Sequence, residues 1–153
     1  MTSIGIDPGK KGAICINLDV DIYFYKIPYT KDNKLNIPWL RHLSGLNPDL
    51  VLIEEPFIMS GNKNKGLTTQ LKEFGMLYGA SEMIFGDDKV KTCTPRQWKS
   101  HLGVGSGKEA SIAKAKELFP EIGLRFSSRC KKDDDNMAEA LLLTVYARHI
   151  LKI

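Results

Sequence analysis

The sequence is short of cysteine, of histidine and of long apolar runs, and each shortage removes a class of protein. Cys15, Cys93 and Cys130 are the three cysteines in 153 residues. Odd in number and widely spaced, they suit neither a disulfide framework nor a zinc motif, and they fit a reducing, cytoplasmic setting. His42, His101 and His149 show no ligand spacing, and surface or helix-end positions account for them. No apolar run approaches the roughly 18 residues needed to cross a bilayer. The first residues lack the charged-then-apolar order of a secretory signal. A soluble protein with no membrane partner is therefore expected. No internal repeat, interdomain linker or disorder-prone composition is visible, so residues 1–153 are expected to form one domain with a real core.

What is present is a modest basic excess and a set of acids at the ends of apolar stretches. The formal charge is +4, with basic residues gathered in three places: Lys63, Lys65 and Lys72; the stretch from Arg96 to Lys116; and the stretch from Arg125 to Lys132. That distribution permits a polyanionic partner. The first of the acids is Asp7. A short β-branched run delivers it, stops at Pro8-Gly9 and resumes as Ala13-Ile14-Cys15-Ile16, which reads as two strands joined by a tight turn. A carboxylate at a strand end among buried neighbours is costly unless a cation or hydrogen bonds compensate it. Asp7 is thus either a metal ligand or the cap of its turn.

Further along, Asp21 to Ile27 is a third strand, ending at Pro28 and completing an antiparallel meander. Asn36 to Leu43 has helical spacing and is closed by Gly45. Leu50-Val51-Leu52-Ile53 runs into Glu54-Glu55-Pro56, and four consecutive apolar residues predict a strand covered on both faces, as in the parallel part of a mixed sheet. Neighbouring residues on a strand point to opposite faces, so only one of Glu54 and Glu55 faces Asp7. Helices are predicted over 67–85, from Pro95 through Leu102 and over 111–118, with a strand at 90–93.

The last segment, Asp133-Asp134-Asp135-Asn136-Met137-Ala138-Glu139, enters a helix that is apolar on nearly every side and therefore buried against a sheet. Asp135 and Glu139 are four apart and share a face. Asn136 as a cap with Glu139 three residues on would also make a capping box, and an acidic first turn suits the helix dipole. Gly103-Val104-Gly105-Ser106-Gly107-Lys108-Glu109 has the look of a phosphate-binding loop. Leu102 stands where its first glycine belongs, Glu109 replaces the hydroxyl residue that holds magnesium, and no apolar strand immediately precedes it, so a flexible connection is expected there rather than a nucleotide site.

Taken together, Ile4-Gly5-Ile6-Asp7-Pro8-Gly9, then Ile53-Glu54-Glu55-Pro56, then Asp135 and Glu139-Ala140-Leu141-Leu142, with Thr94-Pro95-Arg96-Gln97-Trp98-Lys99 between them, resemble the RuvC-like Holliday junction resolvases, especially the short phage members. The resemblance spans almost the whole chain. It implies an α/β, RNase H-like fold: a mixed five-stranded sheet, an antiparallel meander then parallel strands, with helices on both faces. It also implies a homodimer whose two-fold symmetry sets two active sites on equivalent strands of a four-way DNA junction. Asp7, Glu54, Asp135 and Glu139 match the family's catalytic, metal-binding carboxylates, while the choice among Asp133, Asp134 and Asp135 for the helix-start ligand stays open. Phe57 matches the aromatic inserted at the junction centre, or else it is a loop aromatic tucked into the core. Lys99 and Lys108 match phosphate-contacting positions, which with Lys63, Lys65 and Arg96 would give a salt-sensitive footprint.

The chemistry so implied is paired nicking by phosphodiester hydrolysis, leaving 5′-phosphates, with two Mg²⁺ ions per site and Mn²⁺ as a substitute. Two such ions activate a water and relieve charge on the leaving oxygen, and hard oxygen ligands select them over zinc. The alternatives are a nuclease for RNA–DNA hybrids or for flaps and forks, and a junction-binding protein without catalysis. A role in DNA recombination or repair, in the host cytoplasm if the gene is a phage's, follows from the resemblance alone.

Overall fold

Five short strands, each about as long as its apolar run, pair into a single mixed sheet. The computed structural model describes residues 1–58 and 65–152. The strands are β1 (Ser3–Asp7), β2 (Ala13–Asn17), β3 (Ile22–Lys26), β4 (Leu50–Glu54) and β5 (Val90–Cys93). Their order is β3-β2-β1-β4-β5. β1, β2 and β3 pair antiparallel, and β1, β4 and β5 pair parallel. The expected meander followed by parallel strands is therefore what forms.

The helices are α1 (Ile37–His42), α2 (Lys65–Phe85), α3 (Pro95–Leu102), α4 (Lys108–Leu118) and α5 (Asp135–Ile150). Strand alternation divides the core into two layers. Ile4, Ile6, Ile14, Val51 and Ile53 pack with Leu40 of α1 and Leu77, Ala80 and Phe85 of α2. Ala13, Cys15, Leu50 and Leu52 pack on the other face with Trp98, Leu102, Ala115 and the apolar side of α5.

Boundaries differ from the sequence reading where apolar spacing is a poor guide. α2 and α4 begin at Lys65 and Lys108, ahead of their first buried residues, because a helix's opening turn needs no apolar contact. Asn36 lies outside α1 as its cap, its Oδ1 accepting from the Trp39 N–H at 3.1 Å. Gly45 falls inside a 3₁₀ turn over Leu43–Leu46, and Asn47, at φ 44°, reverses the chain after it.

One contact fixes where α5 crosses the sheet. A Cβ placed on Gly5 would sit 2.1 Å from the Ala140 carbonyl oxygen and 2.9 Å from Leu143 Cβ. Only a glycine in β1 therefore lets the helix backbone lie this close. Gly5 and Asp7 share a face of β1, and Glu139 precedes Ala140, so the same close approach carries Glu139 toward Asp7.

Candidate metal centre

Asp7 and Glu54 end adjacent parallel strands, where open α/β sheets place their ligands. The pairing of Ile6 with Ile53 sets the two acids side by side. Glu54 follows the parity of Leu50 and Leu52 and so faces α5, whereas Glu55 turns away and accepts a hydrogen bond from Thr92 Oγ1. The backbone at Asp7 is tightly enclosed: a Cβ on Gly12 would meet the Asp7 carbonyl oxygen at 2.1 Å, and the turn closes through the Gly12 N–H donating to the Gly9 carbonyl at 2.9 Å.

Asp7, Glu54 and Glu139 converge, with one carboxylate oxygen from each lying within 4.8 Å of the other two. The glutamates are each held by one oxygen. Glu54 Oε2 accepts the indole N–H of the fully buried Trp98. Glu139 Oε1 accepts from Lys99 Nζ at 2.7 Å and from the buried Ser111 hydroxyl at 2.9 Å. Asp7 Oδ2 is buried and has no hydrogen-bond partner among the described residues. Burial pushes the Asp7 carboxyl well above the usual carboxylate range, and Glu54, Glu139 and Asp135 add to the rise while Lys99 opposes it. Burial likewise pushes Glu54 up to about 7, against the pull of the Trp98 hydrogen bond. An orphaned buried oxygen among three crowded carboxylates, with only oxygen donors, fits a hard divalent cation.

Asp135 does not join this cluster. Its carboxylate is 3.0 Å from Lys108 Nζ, at the margin of the site, where it touches Asp7 only through its charge. The other two aspartates are otherwise engaged. Asp133 pairs with Lys116 and Arg125, and Asp134 is the cap of α5, accepting from the Met137 N–H at 3.0 Å. The capping box on Asn136 does not form, because the helix starts two residues earlier than that arrangement requires, and Glu139 is left free for the site.

Among the expected DNA contacts, Phe57 is 68% exposed, so it is not tucked into the core. It borders a cleft of about 620 Å³ that reaches from Asp7 and Glu54 past Lys10 to Thr69 and Gln70. Arg96 is exposed, and the Lys108 side chain is 77% exposed despite its pairing. Lys99 departs from expectation: its ammonium turns inward to Glu139 rather than outward to a phosphate. Lys63 lies outside the described residues, as does the side chain of Lys65. Trp98 and Ser111 were not predicted to have site roles. Their partners are distant in sequence, and the one local signal, two polar or aromatic donors near a resemblance motif, names no partner.

Sheet order, helix placement and the carboxylates at the ends of β1 and β4 define an RNase H-like fold. It is the form of that fold found in RuvC-like Holliday junction resolvases. Thermus thermophilus RuvC in complex with a Holliday junction substrate is similar over 97% of this chain and 96% of its own, at 17% identity and a TM-score of 0.60. The yeast mitochondrial Holliday junction resolvase Ydc2 matches over 93% of this chain and 75% of its own, at 19% identity and a TM-score of 0.55. The fowlpox virus resolvase, solved with its substrate Holliday junction DNA, matches over 99% of both chains at 18% identity and a TM-score of 0.50. No protein-family model and no curated protein sequence matches the chain.

Proposed function

We propose that this chain is a divalent-metal-dependent endonuclease that resolves four-way DNA junctions, acting as a homodimer. The observation that carries the reading is the convergence of Asp7, Glu54 and Glu139 around an unpartnered buried oxygen, on a fold shared with resolvases solved on junction DNA. Asp7, Glu54 and Glu139 would hold the metal, with Asp135 beside them. Mg²⁺ or Mn²⁺, two ions per site, would supply Lewis-acid activation of a water and charge relief at the leaving oxygen.

The protein's own part is to bind and orient. Water adds to the phosphorus, the bond to the 3′ oxygen breaks, and the products are a 5′-phosphate and a 3′-hydroxyl. Lys99 balances part of the charge of Glu139 and keeps that side chain in place. Phe57, exposed at the end of the cleft, offers a ring for unstacked bases at the junction centre. Arg96 and Lys108 contact phosphates, giving salt-sensitive affinity. Met76 and Met83 lie seven residues apart on one face of α2, 42% and 90% exposed, and provide an apolar face for the second copy.

The test is cleavage of a four-way junction, a flap, a linear duplex and an RNA–DNA hybrid, each with Mg²⁺ and with chelator. Mg²⁺-dependent paired nicks confined to the junction are expected, and Asp7→Asn should bind the junction without cutting it. Preference for the hybrid or flap would move the substrate class. Cleavage unaffected by Asp7→Asn would refute the site.

A further inference from the structure

α3 reaches two of the three carboxylates through consecutive residues. Trp98 donates to Glu54 Oε2, and Lys99 both bonds Glu139 Oε1 and stacks on the Trp98 ring, its Nζ 5.1 Å from the centroid. The helix carrying them is fixed independently of any ligand. Thr94 and Gln97 form a reciprocal capping box, Pro95 occupies its first turn, and Gly103, at φ 65°, closes it. The indole itself is wholly buried against the α5 layer of the core. A buried N–H needs an acceptor, and this one is directed at a carboxylate of the metal centre rather than at a backbone carbonyl.

We propose that Trp98 is a positioning residue for the metal centre: its indole N–H fixes one oxygen of Glu54, leaving the other as the oxygen that faces a divalent cation. The inference rests on reading Asp7, Glu54 and Glu139 as a divalent-metal site. A free glutamate has three side-chain torsions to order on binding, and the indole settles them in advance. Groups that orient ligands in this way are worth 10–100-fold in metal affinity.

Trp98→Phe isolates the claim, because it keeps a ring in the core and beneath Lys99 and removes the donor. Calorimetric titration with Mn²⁺ should show affinity reduced about 10–100-fold, while uncut junction binding in chelator is unchanged. A second measurement does not depend on that variant folding. Trp39 and Trp98 are the two tryptophans, so in Trp39→Phe the indole emission reports Trp98 alone. It should shift with Mg²⁺ over the concentration range in which calorimetry shows binding. Unaltered Mn²⁺ affinity in Trp98→Phe overturns the proposal, as does emission that ignores bound Mg²⁺. A wild-type protein that binds Mg²⁺ but cuts no nucleic acid would overturn the nuclease reading and leave this one standing, whereas a protein that binds neither ion overturns both.

Discussion

Replacing Glu54 by glutamine is expected to make the metal-free protein more stable at alkaline pH while removing its response to metal. The Glu54 carboxyl is held at about 7 against an ordinary value of 4.5. At 1.36 kcal/mol for each pH unit, ionising it in the folded state costs about 3 kcal/mol more than in the unfolded chain. The folded state therefore binds the extra proton. Stability is full below pH of about 4.5, falls as pH rises and has lost this contribution above about 7. Asp7, pushed up mainly by burial, acts in the same direction. Glutamine at 54 retains an oxygen for the Trp98 N–H, and its amide group can donate to Asp7, so the variant keeps the contacts and sheds the charge.

The assay is thermal and urea unfolding in chelator at about pH 5 and about pH 8. For a chain of this length, 3 kcal/mol corresponds to roughly 6–12 °C in Tm. Wild type should lose at least that much between the two pH values, and Glu54→Gln should recover most of it. Groups outside the site contribute alike in both proteins and cancel in the difference. With saturating Mg²⁺ the order reverses: wild type gains stability through binding and the variant does not. A wild-type Tm in chelator that is equal at both pH values, or a variant no more stable than wild type at pH 8, refutes the electrostatic account of the site.

Gly5→Ala should cost about 1–3 kcal/mol through overpacking against the Ala140 carbonyl, and because it lifts α5 it should also weaken Mg²⁺ binding; calorimetry alongside unfolding checks both. Met83→Asp should convert the proposed dimer to a monomer by light scattering and turn the proposed paired nicks into single ones, with the fold retained by circular dichroism. Phe57→Ala should slow junction cleavage several-fold with Tm changed by no more than a degree or two, since the ring is 68% exposed; a large drop in Tm would mean that it supports the core.

How much of this was legible in the sequence divides along the range of the interactions. The strands were readable because Ile4 to Asp7 and Leu50 to Glu54 carry their own apolar runs and their own stop signals, and parity showed that only one of Glu54 and Glu55 faces Asp7, while the resemblance pointed to Glu54. Asp7 followed from its strand end, and Glu54 from the resemblance. The acidic run before α5 was not resolved, because Asn136 is as good a cap as Asp134 on local chemistry. The choice is made by Lys116, Arg125 and Lys108, which engage Asp133 and Asp135 from α4 and the loop that follows it. The inward turn of Lys99 was hidden for the same reason: its partner lies 40 positions away. Gly5 stands between two isoleucines with no local signal of its purpose, which appears only when α5 lies across it.

The charges around the trio also bear on how many ions the free protein takes. Among the described residues, the three carboxylates are paired with one ammonium, that of Lys99, while Asp135 is matched by Lys108. With every group ionised, the centre lacks two positive charges, which one divalent cation supplies. A second ion would enter a site already neutral, and Lys99 holds the Glu139 oxygen that it would share. Substrate changes that balance, because a bound phosphodiester brings its own negative charge and more oxygen donors. Calorimetry on the free protein should therefore show one Mn²⁺ per chain at high affinity, with a second tight site appearing only with an uncleavable junction bound. Lys99→Met, which removes the competing ammonium, should let the second ion bind without DNA. Two ions of similar affinity on the free wild-type chain would show that Lys99 and Glu139 are not the charge-balanced pair that the 2.7 Å contact describes.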